Sequence, residues 1–235
     1  MAGVLGIPTR SWSTVHEMRV GDASAQDLPV ISMEKMLLPH SWLRIDGVLG
    51  ENFLDRFDIL IDNQTRSISF SKDEDLASRV LGNRLAMTTT SSIGPERFHH
   101  RPLLTMKIPS YRDQPLRLLL DSGAEVFTVL ASYPTRAEPR EAVRVFQTGI
   151  TVLGGTLSCT MWRGAVTAEH LSLENLSITA CARPAGEALD NEGSLPTILF
   201  KRIFISHLHS YVIFNPNVLK PTEMASDSDV HGAKQ

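Results

Sequence analysis

The chain has 235 residues, enough for one large domain or two small ones, and its 42% hydrophobic and 21% charged content is ordinary for a soluble globular protein. A formal charge of -3, with 23 Lys and Arg residues scattered along the chain, argues against a nucleic-acid partner. No window approaches the ~18 apolar residues of a membrane-spanning helix, and two cysteines give neither a disulfide framework nor a Cys-x-x-Cys metal spacing.

In chain order, MAGVLGIPTRSWST lacks the basic start and long apolar stretch of a secretory signal, so no compartment is indicated. Short β-rich runs punctuated by Gly and Pro dominate thereafter, and long helical periods are hard to find, so the expected class is mostly β. FDILIDNQTRSISF, 57–70, predicts a hairpin around an Asp62-Asn63-Gln64 turn, with Ile59, Ile61, Ile68 and Phe70 inward. Residues 71–100 read as a linker, because the patch TTTSSIGPE has too little apolar content to pack. Apolar runs return at RPLLTMKI, LRLLLDS, VRVFQTGITVLGG and LENLSITACA, and residues 219–235 read as a disordered tail.

The two sides of the linker echo one another. RIDGVLGENFLDRFDILIDNQTRSISF and NEGSLPTILFKRIFISHLHSYVIFNP share one layout: Gly, two positions, Gly or Pro, a short Phe-containing helical stretch, then a hairpin. Only the second copy also contains LLLDSGA. There Asp121 directly follows Leu118, Leu119 and Leu120, a costly place for a carboxylate unless it is paired, hydrogen-bonded or protonated. Gly123 permits a tight turn and close approach, Ser122 offers a hydroxyl to lock it, and Ala124 is small enough to pack beneath.

LLLDSGAEVFTVL resembles the active-site loop of retropepsin-like aspartic proteases, and DGVLGENFLDRFDILID resembles that family's second element. EGSLPTILFKRIFISHLHSYVIF follows the same layout with Pro196 where the family commonly has glycine. The resemblance implies two retropepsin-like acid-protease barrel lobes in tandem: a partial first lobe over 1–70 and a complete second lobe over 101–218. It further implies an aspartic-type endopeptidase acting on a peptide or protein substrate, without metal or organic cofactor. Asp121 would be catalytic, with Ser122, Gly123 and Ala124 supporting its loop. VLGGTLSCTMW would supply the flap, making Gly154, Gly155 and Trp162 flap candidates.

One aspartate is half a site in this family, where two lobes each contribute one. Asp121 precedes Gly193 by 72 positions, and the same spacing counted back from Gly47 ends about 25 residues before Met1. The second aspartate is therefore expected from an N-terminal segment, or from a second chain in a homodimer. A degenerate first lobe would instead leave a catalytically silent peptide-binding or interaction module. The plain alternative for Asp121 is a turn aspartate capping its own backbone.

Other features have ordinary expectations. Cys159 and Cys181 could pair but read as half-buried free thiols. His207 and His209 alternate on a predicted strand and could bind a metal, but without a third ligand nearby they read as exposed hairpin residues, and the His99-His100 pair bordering the linker likewise reads as no metal site. Asn63-Gln64-Thr65 and Asn175-Leu176-Ser177 fit a glycosylation sequon that matters only in a secreted eukaryotic context. Trp12, Trp42 and Trp162 read as packing residues, with Trp162 able to touch substrate if the flap lies where expected.

Overall fold

Strand after strand in this chain follows from a period of two in its apolar residues. The computed structural model of the chain describes residues 10–33, 47–90, 101–131, 146–152, 155–182 and 191–215. In chain order these contain the hairpin β1 (Arg10–Val20) and β2 (Ala23–Met33), the helix α1 (Glu51–Leu54), and the hairpin β3 (Asp58–Asp62) and β4 (Ser67–Ser71). Then come β5 (Asn83–Ala86), β6 (Thr88–Thr89), β7 (Pro102–Ile108), β8 (Arg112–Asp121), β9 (Thr128–Ala131), β10 (Phe146–Val152), β11 (Gly155–Ala168) and β12 (Leu171–Ala182). Last are β13 (Gly193–Pro196), β14 (Arg202–Ser206) and β15 (Tyr211–Phe214).

The mostly β expectation holds, and at its centre is a closed barrel. Leu104, Met106 and Ile108 of β7 and Leu116, Leu118 and Leu120 of β8 are buried, while Thr105, Lys107 and Arg117 between them are exposed. Strands pair in the order β7-β8-β13-β9-β12-β11, and Thr167 of β11 pairs back with Lys107 of β7. Six strands therefore close on themselves, which removes the free edges an open sheet would present.

A second sheet, ordered β4-β3-β14-β15-β5, joins the two echoing halves. At its middle Leu60 faces Phe204, flanked by Ile59 opposite Ile205 and Ile61 opposite Ile203. Asp58 faces Ser206 at one end and Asp62 faces Arg202 at the other. The two hairpins therefore meet about a local pseudo-twofold. Every residue of β3 is buried because both faces are covered. Ile59 and Ile61 join the core shared with the barrel, while Leu60 packs with Phe204, Tyr211, Leu76 and Val80 on the other side.

Two long hairpins, one preceding β3 and one preceding β14 in sequence, share a local geometry. β1–β2 and β11–β12 turn at Gly21-Asp22 and Glu169-His170. Each carries a left-handed residue at the same distance beyond the turn, Asp27 (φ 53) and Asn175 (φ 58), two residue types that tolerate that conformation. Leu28 and Leu176 follow them, and both are buried.

Several expectations are corrected. Residues 71–90 of the expected linker belong to the fold: β5 pairs with β15, β6 pairs with β7, and Leu76, Val80, Leu85 and Met87 are buried. A few widely spaced apolar side chains suffice there, because each fills a gap against a preformed sheet. Ile68 is 58% exposed, although it faces the buried Ile61, because β4 is the outermost strand. The hairpin turn closes over 63–66, with Asp62 Oδ1 accepting from the Gln64 and Thr65 N–H groups at 3.0 and 3.1 Å. Residues 91–100, with His99 and His100, and 219–235 lie outside the described residues.

Cys159 and Cys181 are not free thiols but form a disulfide. They sit opposite one another on β11 and β12 with Cα atoms 4.3 Å apart, a juxtaposition that only the strand register creates. Reduction, or replacement of both by alanine, is expected to cost roughly 2–4 kcal/mol. Denaturant unfolding with and without reductant checks this, and an unchanged midpoint would contradict it.

Candidate active site

Asp121 is the last residue of β8, and its surroundings are built by β13. β13 runs parallel to β8, pairing Ser194 with Leu119, Leu195 with Leu120 and Pro196 with Asp121. On its other side it is antiparallel to β9, pairing Gly193 with Val129 and Ser194 with Thr128. The strand thus threads between the segments that enter and leave the Asp-Ser-Gly turn. A Cβ on Gly193 would lie 2.2 Å from the Thr128 carbonyl oxygen and 3.0 Å from Val129 Cα, so only glycine fits.

Polar contacts pin the entry to this strand. The Leu130 N–H donates to the Glu192 carbonyl at 2.8 Å, and the Glu192 N–H donates to the Arg117 carbonyl at 2.7 Å. The Glu192 carboxylate accepts from the Arg117 N–H at 3.1 Å and pairs with the Arg112 guanidinium at 2.6 Å. Asn191 Nδ2 donates to the Gly193 carbonyl at 2.9 Å.

Within the turn, the Gly123 N–H donates to Asp121 Oδ1 at 2.8 Å. A Cβ on Gly123 would lie 3.4 Å from that oxygen, so the loop closes tightly on its own carboxylate. Asp121 and Ala124 are half-buried, Ser122 and Gly123 are exposed, and the buried Phe127 anchors the chain as it enters β9. A carboxylate is thereby presented at the barrel rim on a fixed backbone. Pro196 suits its place: its φ of -67° is the value the proline ring imposes.

The expected flap segment is a hairpin, with Val152 of β10 paired with Gly155 of β11, and it lies between the two motifs in sequence. Gly154, in its turn, lies outside the described residues. Trp162 does not belong with a substrate-facing flap. It is buried in the barrel, where its Nε1–H donates to Ser110 Oγ at 3.0 Å and its ring stacks on Tyr111 at 5.8 Å.

His207 and His209 occupy a turn, not a strand, and their surroundings were not legible in the sequence. His207 is half-buried, its side chain only 4% exposed, with Nε2 3.4 Å from Glu51 Oε1, where α1 approaches the second hairpin. His209 Nδ1 lies 3.1 Å from Ser206 Oγ and 3.9 Å from Asp58 Oδ2. Among the described residues no group of three or more His, Cys, Asp or Glu side chains could hold a metal ion. Asn63 of the first sequon donates through Nδ2 to the Thr197 and Phe200 carbonyls at 2.9 and 2.7 Å, tying the first hairpin turn to the second copy.

Burial, reinforced by Asp55 and partly offset by Arg101, raises the Glu51 carboxyl from 4.5 to about 7. The folded state therefore holds a proton that the unfolded chain has already released. Its stability falls as pH rises from 4.5 to about 7 and is constant with respect to this group on either side.

No family model matches the chain, and no curated protein matches it. Among the solved structures it matches is the EIAV protease complexed with the inhibitor HBY-793. The identity is 20%, over 45% of this chain and 88% of that one, with a TM-score of 0.31. The barrel and its threaded strand stand on their own topology. No helix among the described residues is long and apolar enough to cross a membrane.

Two outcomes test this geometry. Gly193→Ala is expected to destabilise the fold by roughly 1–3 kcal/mol, read from chemical denaturation, because the backbone must yield to the new methyl. Glu51→Gln is expected to gain stability relative to the parent between pH 4.5 and about 7, reaching roughly 3 kcal/mol above that window and vanishing below it. A pH-independent difference would contradict the buried-carboxyl account.

Proposed function

We propose that this chain carries one catalytic half of an aspartic-type endopeptidase, with Asp121 as the reacting carboxylate and Ser122, Gly123 and Ala124 as its supporting loop. The observation that carries the reading is the threading of β13 between β8 and β9, with Pro196 opposite Asp121. That arrangement fixes a carboxylate at a rim where a second one could approach.

Two carboxylates in contact cannot both ionise easily, so they share a proton, and aspartic proteases are the standing example of this effect. The ionised member takes a proton from a water whose oxygen adds to the peptide carbonyl carbon. The protonated member donates to the carbonyl oxygen. Collapse of the tetrahedral diol breaks the C–N bond as the amine takes the proton drawn from water, and one diol hydroxyl returns its proton to the carboxylate that had donated to the carbonyl oxygen, leaving the product acid and restoring the shared proton. The substrate is a peptide or protein, and the chemistry calls for neither metal nor organic cofactor.

We further read residues 1–70 and 101–218 as two copies of one lobe. Support comes from the repeated β1–β2 and β11–β12 hairpins, the repeated Gly–helical turn–hairpin layout, and the pseudo-twofold between β3 and β14. β14 is paired along its length with β3 of the same chain, which obstructs a homodimer built by pairing that strand with its symmetry mate. The second carboxylate is accordingly assigned to a segment fitted to the first copy.

The presence of one Asp-Ser-Gly favours a second reading, a silent peptide-binding module. Cleavage assays on the chain supplied with a second Asp-Ser/Thr-Gly segment separate the two. Asp121→Asn is expected to lower turnover by roughly 10²–10⁴-fold. Full activity in that variant would overturn the protease reading, and binding without turnover at any pH would establish the silent one.

A further inference from the structure

The internal repeat offers a template for what the first copy lacks. In the second copy, β13 is clamped on both sides, and β12 pairs with β9 in parallel from Thr179 opposite Thr128 to Ala182 opposite Ala131. The matching parts of the first copy are residues 47–50 and the end of β2, Ile31–Met33. Among the described residues, 47–50 has no strand partner and Ile31–Met33 pairs only with β1.

Side-chain surroundings tell the same story. Gly193 has no room for a methyl, whereas a Cβ on its counterpart Gly47 would meet nothing within 4 Å. Val48 is 75% exposed although it lies in an apolar Val-Leu pair, while Leu49 beside it packs against the core. Among the described residues nothing crowds this glycine or covers this valine, and together they mark a slot shaped like the one that β8 and β9 form around β13.

We propose that residues 47–50 and the free edge of Ile31–Met33 form a docking slot for a strand–turn–strand segment of the β8–β9 kind: an apolar strand, Asp-Ser/Thr-Gly, then a second apolar strand. The first strand runs parallel to 47–50. The second lies between 47–50 and β2, parallel to β2 as β9 is to β12. Main-chain hydrogen bonds supply the affinity, as in other strand additions, and Leu49 keys the register. The incoming aspartate then lies beside Gly50, as Asp121 lies beside Pro196. A second copy of this chain is a poor occupant, because its own Asp121 loop is built into its own barrel and would have to be pulled out first.

This inference rests on the two-copy reading and not on catalysis, so its test uses the Asp121→Asn chain. Amide hydrogen exchange is followed by NMR, with a synthetic peptide of residues 112–131 as the probe. The free monomer is expected to exchange rapidly at 48–50 and along the outer edge of 31–33. Saturating peptide is expected to slow those amides by about tenfold or more, because pairing moves them from the frayed toward the protected end of the range. Gly47→Val is expected to leave the free chain's melting temperature unchanged yet abolish that protection, since a Cβ at the equivalent Gly193 strikes the β9 backbone. Protection already present in the free monomer, or none with saturating peptide, would overturn the proposal. Concentration-dependent protection in a dimer would overturn the choice of occupant. Loss of cleavage in the separate activity assay leaves these readouts untouched.

Discussion

The structure turns on one close approach, the backbone of Gly193 packed against the Thr128 carbonyl and Val129. A strand inserted between the two arms of a turn must come nearer to both than a side chain allows. Once it is there, β8 and β9 cannot separate, and the Asp-Ser-Gly turn connecting them is held without needing strong contacts of its own. The Gly123 N–H on Asp121 Oδ1 and the Arg112, Arg117 and Glu192 contacts then finish what the threading begins. Barrel closure follows from the same event, because β13 is the strand that joins the β7–β8 and β9–β12 sides.

The pseudo-twofold between β3 and β14 gives the second organising constraint. The two hairpins meet with Leu60 and Phe204 at the centre, an antiparallel pairing with the local geometry of a symmetric dimer contact. An intramolecular pair needs no second chain to cover the sheet. Among the described residues Gly47 and Val48 are uncovered, whereas Gly193 is packed against β9. The half-buried Glu51 and His207 lie where α1 approaches the second hairpin, one of several polar contacts there beside Asn63 on the Thr197 and Phe200 carbonyls and Asp62 on Arg202.

Local patterns were readable and long-range pairings were not. The β3–β4 hairpin, the Asp121 turn and the Gly–helical turn–hairpin echo each depend on neighbouring residues, and each is visible in composition and spacing. The Cys159–Cys181 bond depends on the register of β11 with β12, to which thiol counts are blind. Ile68 alternates correctly yet is exposed, because its strand is the sheet edge. Residues 71–90 look too polar to pack, but they need only four apolar side chains against surfaces built elsewhere. Of the site, the Asp121 loop was legible. Trp162 was placed by proximity to glycines when its ring belongs to the barrel core, and the burial of Glu51 and His207 carries no sequence signal.

The central claim is that Asp121 is one of two carboxylates that handle the attacking water. A crystal structure of the chain complemented at the first copy and bound to a statine-type transition-state mimic tests it most directly. The account predicts the mimic's hydroxyl within hydrogen-bonding distance of both the Asp121 carboxylate and the incoming aspartate, with its backbone running across the barrel rim. A mimic bound elsewhere, or one that leaves Asp121 untouched, would contradict it.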